Sequence, residues 1–196
     1  RVYPFGDTFK SILGNVGSIP LENKDYYLRR GYSINDKVGL SNLEFIYDDY
    51  LKGIKNKYRL NKFNDLELIS EGEIGKSIVL TIDIDLQKQV EDILTEELIK
   101  TKSEPNTRYY NRSFVIIANP KTGEILAMAS YPTYDPTTFQ TDYESLISDE
   151  NRPLFNRAVG GVYAPGSVFK PLTATAALES GIITVDDVIY CKGIYT

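Results

Sequence analysis

Four residues near the C-terminal end, Ser167-Val168-Phe169-Lys170, have types and spacing that could do chemistry. A serine hydroxyl is a weak nucleophile until a base takes its proton. The 196 residues include no histidine, which excludes a Ser–His–Asp triad and any histidine metal site within the chain. Lysine can serve as the base where burial or neighbouring charge lowers its pKa. Residues three apart share a helix face, so Lys170 can reach the Ser167 hydroxyl. A helix N-terminus also presents free N–H groups and positive dipole to a developing oxyanion. The local pattern alone leaves a second reading open, a serine that caps a helix followed by a surface lysine. A Ser-x-x-Lys match arises by chance about once in a chain of this length.

The flanking residues say how the pair would be held. Pro165-Gly166 predicts a turn immediately before Ser167. Pro171 has no N–H to give to the Ser167 carbonyl and would clash with it in a regular helix, so the helix cannot extend regularly back through Ser167. A helix is expected from about Val168 to Ser180, with Gly181 as its stop. Upstream, 113–118 reads as a buried strand, Asn119-Pro120-Lys121-Thr122-Gly123 as a turn, and 124–130 as the returning strand of a hairpin. Residues 131–157 read as one long loop, of a length that is uncommon unless it covers a site. Earlier, Ile78-Val79-Leu80-Thr81-Ile82-Asp83 is a strand candidate, and Asp85 a candidate helix cap. Leu86, Val90, Ile93, Leu94 and Leu98 then form one apolar stripe on a helix to about Lys100. Residues 36–53 form another helix-bearing segment. The polar cluster at 102–107 predicts an exposed loop near a boundary, dividing residues 1–110 from 111–196.

Composition narrows the functional classes. Hydrophobic residues make up 42% and charged residues 25%, ordinary for a globular protein. The net charge is −5 and no basic cluster is present, so nucleic acid is not expected as a partner. No apolar run approaches the roughly 20 residues that span a bilayer. The chain opens at Arg1 without a methionine and stops at Ile194-Tyr195-Thr196, so both ends look cut. The lone Cys191 reads as a small buried hydrophobe, and neither a metal nor a cofactor is expected. Gly75-Lys76-Ser77 is not a phosphate loop, because Ser70 stands where a glycine is needed and the segment leads to a strand candidate instead of a helix.

Longer ordered stretches resemble one family. Asn119 to Ser130, then Pro132 and Tyr134-Asp135-Pro136, resemble the opening hairpin of class B penicillin-binding proteins. Asn156-Arg157-Ala158 followed by Tyr163 to Pro171 is similar to their nucleophile segment, and Leu80 to Gln87 to the strand and helix that enter the transpeptidase domain. Arg1-Val2-Tyr3-Pro4, Leu13-Gly14-Asn15-Val16-Gly17, Gly31-Tyr32-Ser33, Gly39 and Glu44 resemble the pedestal region, in its elongation-type form. Asn42 departs from the family, which usually has glycine there; asparagine is the next best residue for a left-handed turn. Lys121-Thr122-Gly123 matches a catalytic triplet of penicillin-recognising enzymes, but theirs lies on a strand after the nucleophile, and here it reads as turn chemistry.

The resemblance implies an α+β fold, with a mixed α/β pedestal over 1–110 leading into the N-terminal part of a transpeptidase domain of the penicillin-binding and beta-lactamase type over 111–196. It implies a serine D,D-transpeptidase in which Ser167 attacks the D-Ala-D-Ala carbonyl of a peptidoglycan stem peptide and Lys170 takes its proton. The family's Ser-x-Asn motif and true Lys-Thr-Gly strand are absent from the 196 residues, so the site is expected to be incomplete within them. Implied partners are stem peptides, beta-lactam antibiotics and membrane proteins of cell-wall synthesis such as a glycosyltransferase. The implied location is the extracytoplasmic face of the cell membrane, through a transmembrane helix outside this chain. Competing readings are a beta-lactam sensor, a beta-lactamase, or a non-catalytic cell-wall scaffold.

Overall fold

A computed structural model of the chain describes residues 4–103, 111–190 and 193. The chain forms two compact units, one ending at Gly161 and the other beginning at Val162. Cys191, Arg1-Val2-Tyr3 and most of the 102–107 cluster lie outside the described residues.

The first unit opens with short pieces. Helix α1 (Lys10–Leu13) leads to strand β1 (Val16–Ser18), helix α2 (Lys24–Arg29), strand β2 (Lys37–Gly39), and helices α3 (Asn42–Ile46) and α4 (Asp48–Leu51). Strands β1 and β2 pair antiparallel, with Gly17 opposite Val38. Ile19, Tyr27, Tyr32 and Val38 form a small core, in which the Tyr27 and Tyr32 rings meet edge to face at 5.2 Å. Asp48 closes it, accepting the Tyr32 hydroxyl on one oxygen and the Gly39 N–H on the other, the latter at 2.8 Å. Burial, then the hydrogen bond to Asp48, holds the Tyr32 phenol well above its ordinary pKa. The 36–53 segment is thus helix-bearing as expected, but split by β2 and two short helices. Gly39 allows the close approach: a Cβ there would lie 1.8 Å from the Glu44 carbonyl oxygen. Asn42 does take the left-handed conformation, at φ +50°.

A ribbon of β3 (Lys57–Leu60) and β4 (Leu66–Ser70) follows, which the interrupted apolar pattern did not reveal. Residues 78–83 then depart from the strand expectation: none of them lies in a strand, and Thr81 sits at a bend. The edge they meet belongs to β6, where Asp83 N–H bonds the Leu126 carbonyl at 2.9 Å and Thr81 Oγ1 the Ile125 carbonyl at 2.6 Å. Thr81 is already level with Ile125, the first residue of β6, and the side chain of Gln87 pairs with Met128 further along the strand.

Helix α5 (Ile84–Lys102) starts one residue before the predicted cap, Asp85. Asp83, not Asp85, caps it, accepting the N–H groups of Asp85 and Leu86 at 3.0 and 3.1 Å. Strands β5 (Ser113–Ala118) and β6 (Ile125–Tyr131) form the expected hairpin, with Ile116 opposite Met128. Val90, Ala127 and Ala129 are the core between helix and hairpin, flanked by Leu86, Leu94, Val115 and Ile117. Burying one such Val side chain contributes about 1.5–3 kcal/mol. Ile93 falls outside this stripe and is exposed. Strand β5 is only half-buried, unlike the fully buried strand expected, because α5 packs chiefly on β6.

The 131–157 stretch is not a continuous loop. It contains α6 (Phe139–Ser148), and helix α7 (Arg157–Gly160) begins at its end. Phe139 joins its helix to the preceding chain by stacking between Tyr134 and Tyr143. The second unit contains a 3-10 turn over Gly166–Phe169 and helix α8 (Lys170–Glu179). Among the described residues, no helix is long and apolar enough to cross a membrane.

Candidate active site

Ser167 sits where the turn chemistry places it. Pro165 has φ −67°, and Gly166 follows at φ +57°, a left-handed value that glycine reaches without steric cost. Ser167 therefore enters a 3-10 turn and not a regular α-helix. The Lys170 N–H returns to the Ser167 carbonyl, and Pro171 occupies the first turn of α8, where a missing N–H costs nothing. Helix α8 ends at Gly181, whose N–H bonds the Leu178 carbonyl at 3.1 Å and whose φ is +69°.

Ser167 and Lys170 are thus three residues apart, on a 3-10 turn and at the opening of the helix that continues it. Both are exposed, and α8 buries no residue. Among the described residues no hydrogen bond joins the Ser167 hydroxyl to the Lys170 ammonium. The two groups are brought to one short segment by local backbone geometry. Lys121-Thr122-Gly123 is the turn that its sequence predicts: Gly123 N–H bonds the Asn119 carbonyl at 2.8 Å, and Asn119 Oδ1 accepts the Lys121 N–H at 3.0 Å. No group of three or more metal-ligating side chains occurs among the described residues.

Asn156-Arg157-Ala158, shortly before the first unit ends, is a connected structure. Asn156 Oδ1 caps α7 by accepting the Ala158 N–H at 3.1 Å. Arg157 is 3% exposed, and its guanidinium donates to the carbonyls of Arg152, Phe155 and Asn151. Its backbone N–H bonds Ser130 Oγ at 3.1 Å, which ties α7 to the end of β6. A buried guanidinium is tolerable because its fork of donors is occupied.

Two polar residues under this layer were not singled out in the sequence. Gln87 is fully buried against β6 and bonds both the N–H and the carbonyl of Met128. Its Nε2 also donates to Glu91 Oε1 at 2.7 Å, and the Phe9 N–H reaches the same oxygen at 3.0 Å. Burial raises the Glu91 pKa, and the charges of Asp7 and Asp92 add to the rise, while the two hydrogen bonds oppose it. The available signal was a glutamine one position along from Leu86 and three before Val90, inside the apolar stripe.

Residues 113–196 match the family described as penicillin binding protein transpeptidase domain, and residues 1–80 match the penicillin-binding protein dimerisation domain. Penicillin-binding protein 2A of Bacillus subtilis (strain 168) is 35% identical over 209 residues, which cover 100% of this chain and 27% of that protein. Peptidoglycan D,D-transpeptidase MrdA of Escherichia coli (strain K12) is 30% identical over 207 residues, covering 98% of this chain and 30% of the relative. A solved structure described as structural coordination of polymerization and crosslinking by a peptidoglycan synthase complex superposes with a TM-score of 0.77 at 30% identity, over 96% of this chain and 34% of that one. The chain therefore spans about 30% of the length of the curated relatives it matches.

Proposed function

Because the chain belongs to the class B penicillin-binding proteins, in their elongation-type branch, we propose that the complete protein is a serine D,D-transpeptidase that cross-links peptidoglycan. The observation that carries this reading is the backbone at Ser167. A left-handed Gly166 and a helix opened by Lys170-Pro171 hold a serine on an exposed turn, within the stretch that matches the transpeptidase family.

In this mechanism Ser167 Oγ attacks the carbonyl of the penultimate D-Ala as Lys170 accepts its proton. The tetrahedral oxyanion takes a hydrogen bond from the Ser167 N–H and one from a donor contributed by the rest of the protein. Collapse breaks the D-Ala-D-Ala amide bond, and the proton goes to the departing D-Ala amine. An amine of a neighbouring stem peptide then attacks the Ser167 ester, forming the cross-link and returning the hydrogen to Ser167 Oγ. A beta-lactam acylates the same oxygen through opening of its ring.

Residues 1–110 are assigned to a non-catalytic pedestal leading into the catalytic domain, and 111–196 to the first part of that domain. The two family matches, which fall on either side of this boundary, support that division. The protein would act at the extracytoplasmic face of the cell membrane, held by a transmembrane helix outside this chain, alongside a glycosyltransferase partner. The similarity to a peptidoglycan synthase complex supports the partnership.

Fluorescent penicillin tests the reading in the full-length protein. Wild type should be labelled covalently, and Ser167→Ala should not. The tryptic peptide that begins at Ala158 should carry the adduct on Ser167. An adduct on Ser180 would overturn the assignment. Fast hydrolysis of the acyl-enzyme would favour a beta-lactamase, and stable labelling without transpeptidation a sensor or scaffold.

A further inference from the structure

One backbone carbonyl joins three distant parts of the first unit. The Ser11 oxygen, in α1, accepts Asn42 Nδ2 at 2.9 Å and Asn156 Nδ2 at 2.8 Å. A carbonyl has two lone pairs, and these two amides occupy both. Asn42 opens α3 beside β2; Asn156 caps α7, and the chain runs from α7 through Gly161 toward Ser167. The strap around Ser11 is seated tightly. A Cβ on Gly14 would lie 2.0 Å from the Ser41 carbonyl oxygen, and Asn15 N–H bonds Ser41 Oγ at 3.0 Å. At its other end Phe9 N–H bonds Glu91 of α5.

Asn42 fits this place for two reasons. Its backbone is left-handed at φ +50°, which asparagine tolerates better than most residues. Glycine would serve the turn equally well but would bring no donor. Asn156 likewise uses both ends of its amide, Oδ1 for the α7 cap and Nδ2 for Ser11.

We propose that Asn42 and Asn156 are positioning residues that grip the Ser11 carbonyl from two sides and hold α7 in fixed register with the β1–β2 layer. The role for catalysis rests on the reading of Ser167 as the nucleophile, six residues along the chain from the end of the first unit.

Hydrogen exchange and acylation in the full-length protein test the two halves separately. Asn42→Gly keeps the left-handed backbone and removes only the donor. Asn156→Asp keeps an oxygen to cap α7 and removes the other donor. Each variant should speed amide exchange over 157–161 by about fivefold, the scale of one lost hydrogen bond. Because both act through one carbonyl, the double variant should fall short of the product of the single effects. Each should also slow the first-order step of penicillin acylation about threefold to fivefold, the scale of the same lost bond, with the initial binding constant unchanged. Exchange over 157–161 that is unaltered in Asn42→Gly would overturn the joint. Faster exchange with an unaltered acylation step would overturn the positioning role. If wild type is not acylated at Ser167, the functional reading fails, and with it the catalytic role, while the exchange result still decides the joint.

Discussion

The side-chain amide of Gln87 pairs with the peptide group of Met128, 41 residues away, as a neighbouring strand would. Nε2 donates to the Met128 carbonyl at 2.8 Å, and Oε1 accepts the Met128 N–H at 2.7 Å. At Met128, strand β6 is thereby satisfied on its outer edge without a third strand. A buried strand edge with unpaired groups would cost free energy at each one.

Gln87→Ala should therefore be among the more destabilising substitutions in the chain. It leaves the Met128 N–H and carbonyl without partners, at about 1–3 kcal/mol each. The total loss should be roughly 2–6 kcal/mol, and the Met128 amide should exchange faster than its β5-bonded neighbours. Gln87→Glu keeps the acceptor but loses the donor and sets a second carboxylate beside Glu91, so it should not restore stability. Denaturant unfolding and amide exchange measure both. Wild-type stability in Gln87→Ala would show that water or β6 itself compensates.

Glu91 makes stability depend on pH with a definite sign. Its pKa in the folded chain lies above the unfolded value, chiefly through burial. Folding therefore favours the protonated form, and this contribution is present below the unfolded pKa and lost as pH rises through the folded one. Glu91→Gln keeps an oxygen for Gln87 and Phe9 and cannot ionise. It should raise the thermal midpoint at pH 7 and flatten the decline that sets in as pH rises above the ordinary carboxylate range. Identical pH profiles for variant and wild type would show that Glu91 does not titrate in this way.

Gly39→Ala tests the packing of α3 on β2. The added Cβ would meet the Glu44 carbonyl oxygen at 1.8 Å, and backbone cannot step aside as a flexible side chain can. A loss of about 3 kcal/mol, the upper part of the usual overpacking range, is expected in urea unfolding. A loss below 1 kcal/mol would mean that the 42–46 helix shifts freely.

Lys170 separates base catalysis from charge alone. Lys170→Ala should slow penicillin acylation of Ser167 by about 10²–10⁴-fold while the fold persists. Lys170→Arg should not recover the rate, because a guanidinium stays protonated and cannot take the serine proton. Stopped-flow acylation gives both values. Full speed in Lys170→Ala would remove it from the mechanism.

Local rules carried much of the structure. The turn at Pro165-Gly166, the helix stop at Gly181, the 119–123 turn and the left-handed Asn42 each depend on a residue and its immediate neighbours. The apolar stripe of α5 was legible for the same reason, since helical period is a property of the segment itself. The errors share a different cause. Ile78 to Asp83 has strand composition, yet a strand needs an edge to pair with, and Thr81 already stands at Ile125, where β6 begins. Val79 is instead 94% exposed. Helix α6 was hidden because Pro132, Asp135 and Pro136 dominate the start of its segment.

The amino-acid sequence by itself determined the backbone turn that carries Ser167 and Lys170, because Gly166 and Pro171 act over a few bonds and require no distant partner. It also determined the family, because several motifs recur in order along the chain. Only the tertiary structure decided which polar groups hold the layers together. Gln87 with Met128, Glu91 with Phe9, and Asn42 and Asn156 with Ser11 all join residues far apart in sequence. Asparagine and glutamine are ordinary surface residues in a sequence, and each becomes a structural tie only when folding brings it against a backbone group that its amide can bond.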